Sequence, residues 1–227
     1  MGRLVENLRH ILIDLDGTLT DPKLGIHTSI RYAMDKLGRP LAPELDIDWT
    51  IGPPLKASLM KLLDTEDHDL GEQALLVYRE RFSVIGLFEN EVYPTVAETL
   101  EALKQRDYQL FVATAKPTVY AKRILEHFQL AEFFNEIYGS ELTGERTNKG
   151  ELIEYIVQQE ALQPAHCLMI GDREYDILGA RKNGIEAIAV EYGYGSQAEL
   201  DQAQPKARIQ QFAELLQHIG QGQPTKM

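Results

Sequence analysis

The chain has 227 residues, 44% of them hydrophobic, and a formal net charge of -12. That length supports one good core with a smaller satellite but not two large domains, and the acidity excludes a binder of nucleic-acid backbones, whose affinity comes from Lys and Arg neutralising phosphates. One cysteine, Cys167, allows no internal disulfide, no apolar stretch is long enough to cross a bilayer and no signal-peptide pattern opens the chain, so a reducing cytoplasm is the expected setting.

The first strand is expected at His10-Ile11-Leu12-Ile13-Asp14, a nearly continuous apolar run of the kind a parallel strand shows when both its faces are covered. Residues 21–91 then carry helical stripes and no convincing strand: Ile26, Ile30, Met34 and Leu37, closed by Gly38 and Pro40, and further segments through Leu59, Leu63, Leu75 and Phe82. They read as a helical bundle inserted after the first strand, with hinges near Thr20-Asp21-Pro22 and Glu91-Val92-Tyr93-Pro94. Beyond it, Val96, Leu100 and Leu103 fall at helical spacing, a strand is expected over 108–114 and a weaker one at Ile137-Tyr138. Asn148 caps a helix carrying Leu152, Ile153 and Ile156, and strands follow at 167–170 and 187–190. This alternation predicts an α/β fold: a Rossmann-like, doubly wound parallel sheet from residues 1–20 and 92–220, with ligands beyond the carboxyl ends of its strands. Residues 221–227 read as a frayed, disordered tail.

Four signals carry chemistry. Asp14-Leu15-Asp16-Gly17-Thr18 ends the first strand; residues i and i+2 of an extended chain point the same way, so both carboxylates can face one site while Leu15 packs behind and Gly17 permits a sharp turn. Gly171-Asp172-Arg173-Glu174-Tyr175-Asp176 follows another apolar run, its two aspartates spaced to share a face at the start of a helix. Four carboxylates at one rim are costly unless a cation neutralises them, and oxygen-only ligands favour magnesium over zinc. Thr114-Ala115-Lys116 ends a strand with a hydroxyl and small residues whose N–H groups can hold phosphate oxygens, and Lys149 opens a later helix.

In this order the motifs resemble the haloacid dehalogenase superfamily of aspartate-dependent phosphatases, over nearly the whole chain. The resemblance implies Asp14 as nucleophile and metal ligand, and Asp16 as general acid and base whose carbonyl also meets the metal. It implies Thr114, Ala115 and Lys149 as phosphate binders, Asp172 as a direct ligand of Mg2+, and Asp176, Gly17 and Thr18 in support. It makes residues 21–91 an α-helical cap. Within the superfamily, Ile51-Gly52-Pro53-Pro54-Leu55 and Gly193-Tyr194-Gly195-Ser196 with Glu199-Leu200 resemble the phosphoglycolate phosphatase branch, though each is as readily a stiffened or glycine-rich loop as a substrate contact.

The function expected is therefore magnesium-dependent hydrolysis of a small phosphorylated metabolite through an aspartyl phosphate, with 2-phosphoglycolate as the substrate and a nucleoside 5'-monophosphate as the alternative. Asp16 argues against a dehalogenase, which has no alkoxide to protonate; a sugar phosphomutase would carry a longer polar cap signature, and a receiver-like phosphate-binding module would be shorter. Arg31, Lys56, Arg79 and Arg81 in the cap either reach a substrate carboxylate or solvate helices. No oligomeric state can be read.

Overall fold

The structure, a computed structural model, describes residues 7–220. In chain order the elements are β1 (His10–Ile13), β2 (Thr20–Asp21), α1 (Lys23–Lys36), α2 (Leu55–Leu62), α3 (His68–Arg81), β3 (Glu91–Val92), α4 (Val96–Gln105), β4 (Gln109–Pro117), α5 (Thr118–His127), β5 (Glu136–Ser140), α6 (Lys149–Gln159), β6 (Cys167–Gly171), α7 (Glu174–Lys182), β7 (Glu186–Val190), α8 (Gln197–Ala203), β8 (Ala207–Ile209) and α9 (Leu215–His218). Among the described residues they form two compact units, residues 7–20 with 92–220 and residues 21–91; the tail read at 221–227 lies outside the described residues. Among the described residues no helix is long and apolar enough to cross a membrane.

The first unit is built on a six-stranded parallel sheet in the order β5-β4-β1-β6-β7-β8, so the α/β class read from the sequence holds. Ile11, Leu12 and Ile13 are all fully buried, as the unbroken apolar run requires, because helices cover both faces of the strand. On one face Leu12, Phe111, Ala113 and Met169 pack with Leu152, Ile153 and Ile156 of α6 and Ile177 and Ala180 of α7. Burial of a Leu or Ile side chain contributes roughly 1.5–3 kcal/mol, so this layer fixes where α6 and α7 begin relative to the strand ends. Asn148 caps α6 as expected, its side chain accepting from Gly150 N and Glu151 N.

Three details depart from the sequence reading. β8 was not foreseen: it is three residues long and carries Arg208 between Ala207 and Ile209, too short for a periodic signal. The two segments read as hinges are themselves paired strands, β2 with β3. Asp172 does not lie on a helix; α7 begins two residues later, and only Asp176 sits in its first turn.

In the second unit, Ile26, Ile30 and Met34 of α1, Leu59 of α2, and Ala74 and Tyr78 of α3 are buried, while Leu75 is only half-buried. Asp67 caps α3 by accepting from Asp69 N and Leu70 N. Three of the basic residues singled out in the sequence, Arg31, Lys56 and Arg81, have partners within the unit. Arg31 donates to the carbonyls of Ala42 at 2.8 Å and Leu45 at 2.9 Å, Lys56 meets Glu72 at 2.8 Å, and Arg81 makes a two-pronged pair with Glu89 at 2.7 and 2.8 Å.

Candidate active site

The strand register places the chemistry. Ile13 pairs with Val112 on one side and Ile170 on the other, so the residues that follow β1 and β6, and the end of β4, reach the same edge of the sheet. Asp14 N donates to Ile170 O at 2.9 Å, continuing the ladder one step. The chain then turns: Gly17 adopts φ +80, a left-handed conformation that favours glycine, and its N–H donates to Thr20 O at 2.8 Å. Thr18 is fully buried within this turn.

Carboxylate oxygens of Asp14, Asp172 and Asp176 lie within 4.8 Å of one another, all three side chains being buried. Lys149 enters this group from the first turn of α6. Its Nζ donates to Asp14 Oδ1 at 2.9 Å and to Ala113 O at 2.7 Å, and stands 2.8 Å from Asp176 Oδ1. Burial alone would lower the proton affinity of Lys149, but Asp14 and Asp176 more than reverse that and raise it above the usual lysine range. Burial, and then the Asp176 and Asp14 charges, push Asp172 well above the usual carboxylate range. Asp176 is raised by burial against the pull of Lys149. If all three acids ionise, Lys149 leaves two negative charges in excess, which one divalent cation would cancel.

The donors suit such an ion. Asp172 Oδ1 is buried with no hydrogen-bond partner among the described residues, a desolvation cost that a hard cation would remove. Asp176 Oδ2 is already taken by Arg173 N at 3.1 Å, so this residue acts both as a cap of α7 and as part of the acidic group. An oxygen-only donor set of this kind fits a hard divalent ion.

Asp16 faces a different partner. Its Oδ2 lies 2.7 Å from Lys116 Nζ, both side chains nearly buried, while Oδ1 is buried with no hydrogen-bond partner among the described residues. Burial raises the proton affinity of Asp16; Lys116 opposes this, and the Asp14 charge adds to it. Thr114 is buried at the end of the same strand as Lys116, its hydroxyl accepting from Lys116 N at 3.2 Å. The Ala115 carbonyl accepts from Ser140 Oγ at 2.7 Å, which ties the strand end to β5. The sequence motif contains Lys116 without assigning it a role; alternation along the strand, which sets it on the same side as Thr114, is the signal for one.

The family model for haloacid dehalogenase-like hydrolases matches residues 11–190. The chain belongs to that family. A 5'-nucleotidase of Pseudomonas aeruginosa is 46% identical over 92% of this chain and 94% of its own length. A phosphoglycolate phosphatase of Vibrio vulnificus is 28% identical over 93% and 96%. The tyrosine-protein kinase PtkA of Mycobacterium tuberculosis is 34% identical over 84% of this chain, which spans 64% of that relative. The crystal structure of a predicted phosphatase from Clostridium acetobutylicum superposes with a TM-score of 0.88 at 40% identity, covering 92% of this chain and 96% of that one. The chain is thus a phosphatase of the haloacid dehalogenase-like hydrolases, with an acidic triad suited to a divalent metal.

Proposed function

We propose that the chain is a magnesium-dependent phosphomonoester hydrolase that acts through a phosphorylated Asp14. The observation that carries this reading is the meeting of Asp14, Asp172 and Asp176 within 4.8 Å, with the Lys149 ammonium 2.9 Å from Asp14. A phosphate monoester resists an anionic nucleophile, so positive charge must surround its oxygens and the attacking oxygen must be aligned. Magnesium, held by Asp14, Asp172 and the Asp16 carbonyl with Asp176 in support, supplies that charge when bound. Lys149, the Thr114 hydroxyl and the Ala115 backbone hold the phosphoryl oxygens.

A free Asp14 oxygen attacks phosphorus and the bond to the leaving oxygen breaks. Asp16, whose burial favours the protonated form, gives its proton to the departing alkoxide. Water then attacks the aspartyl phosphate, its proton returns to Asp16, and inorganic phosphate and free Asp14 result. Gly17 and Thr18 support the turn that carries Asp16.

A nucleoside 5'-monophosphate is the substrate class best supported, because the relative named a 5'-nucleotidase is 46% identical against 28% for the phosphoglycolate phosphatase; 2-phosphoglycolate is the second reading. The test is phosphate release with MgCl2 across nucleoside monophosphates, 2-phosphoglycolate and hexose phosphates. It should favour a nucleotide and vanish in Asp14→Asn, with the circular dichroism of the variant unchanged. Normal turnover by Asp14→Asn would remove the nucleophile, and activity confined to phosphoryl transfer from ATP to a tyrosine peptide would overturn the hydrolase reading.

A further inference from the structure

The glycine-rich run after β7 takes no part in the reaction described above, yet it closes around Asp172. Tyr194 N donates to Asp172 Oδ2 at 2.7 Å, while Oδ1 of the same carboxylate has no hydrogen-bond partner among the described residues. A Cβ added at Gly193 would lie 2.3 Å from Asp172 Cβ and 2.4 Å from Gly17 O, and one at Gly195 would lie 2.0 Å from Asp172 O. Neither glycine has a positive φ, so space rather than backbone conformation excludes a side chain at both. The loop is fixed at each end. The Tyr192 hydroxyl donates to Thr18 O at 2.7 Å, in the turn after Asp14, and its ring packs on Tyr93 with centroids 4.6 Å apart. Ser196 caps α8 by accepting from Glu199 N, and Glu199 in turn accepts from Arg173 Nε and Glu174 N, each at 2.8 Å.

We propose that residues 192–195 are a positioning clamp for Asp172, occupying one carboxylate oxygen from behind so that the other is presented to the cation. A carboxylate with both oxygens unrestrained can rotate, and a backbone N–H on one oxygen fixes its orientation while favouring the charged form. Because the loop also holds the Thr18 carbonyl, it keeps the turn after Asp14 and the residue after β6 in register with each other. The inference rests on the reading of Asp172 as a metal ligand. Partners of this kind, which touch a ligand but not the metal, typically change affinity by about 10–100-fold when lost.

The test is calorimetric titration of the metal-free full-length chain with MgCl2, without substrate. Wild type should bind saturably, and Asp172→Asn should abolish that binding. Gly193→Ala and Gly195→Ala, whose added Cβ forces the loop away from Asp172, should weaken it by about 10–100-fold and lower the metal-free melting temperature, with the near-ultraviolet dichroism of a folded chain retained. Tyr192→Phe, which keeps every backbone contact and loses only the bond to Thr18, should weaken it by about 5-fold. Should the alanine variants fail to fold, Tyr192→Phe decides alone. Wild-type affinity in Tyr192→Phe, or in folded Gly193→Ala, while Asp172→Asn loses binding, overturns the clamp and leaves the ligand reading standing; a wild-type chain that binds no magnesium overturns the ligand reading itself.

Discussion

Lys149→Met is the most informative single change, because the lysine sits between two buried carboxylates with its side chain only 5% exposed. Its proton affinity in the folded chain exceeds the ordinary lysine value of 10.5. Its stabilising contribution is therefore complete below that pH and is lost only as pH rises through the folded value. Replacing it with methionine fills similar volume but leaves Asp14 and Asp176 buried against each other without a cation. Breaking a buried pair in this way costs about 3–5 kcal/mol, which for a chain of this size lowers the melting temperature by roughly 10 °C. The deficit has a definite pH dependence. Asp176 is already raised above 3.8 by burial, and Lys149 is the largest influence holding it down, so without the lysine it rises further. A raised carboxyl costs nothing while protonated and destabilises the fold as pH climbs past its unfolded value. Urea unfolding of the chain in EDTA should thus show the full deficit at pH 7.5 and a smaller one at pH 5, with Lys149→Met/Asp176→Asn recovering part of the loss. Equal stability of variant and wild type at pH 7.5, or a deficit independent of pH, would refute the reasoning.

Two further outcomes follow from the same geometry. Lys116→Met removes the group that orients Asp16 Oδ2 at 2.7 Å, together with a charge that opposes protonation of Asp16; the lost orientation should slow single-turnover cleavage of an alkyl phosphate, whose leaving oxygen needs a proton, by about 10-fold or more, and that of p-nitrophenyl phosphate far less, while equal losses on both would separate Lys116 from Asp16. Burial pushes the Cys167 thiol up to about 12, so the native chain should resist a thiol-specific reagent at pH 8 and label fully once unfolded; rapid labelling of the native chain would contradict this.

The sheet was legible because β1, β4 and β6 are covered on both faces, which forces unbroken apolar runs into the sequence. The acidic residues were legible because each follows such a run directly, and the register of a parallel sheet carries them to one edge. What stayed hidden depends on contacts between distant segments. Alternation in Thr114-Ala115-Lys116 sets the lysine on the side of Thr114 but does not name Asp16 as its partner, since that pairing joins two strand ends about one hundred residues apart in the chain. The spacing of Asp172 and Asp176 reads as one helical face, whereas α7 starts at Glu174 and only Asp176 lies on it; the helix start depends on packing that the local sequence does not carry. In the sequence the basic residues of the inserted unit are open to either reading, substrate contact or helix solvation. Arg31 and Arg81 instead close carbonyls and a glutamate inside that unit.

The chain leaves the parallel sheet's unit through β2 and re-enters it through β3, and these two short strands lie side by side. An insertion whose ends are already neighbours imposes no particular span on whatever lies between them. Residues 21–91 could therefore be lengthened, rebuilt or exchanged without altering the strand that carries Asp14.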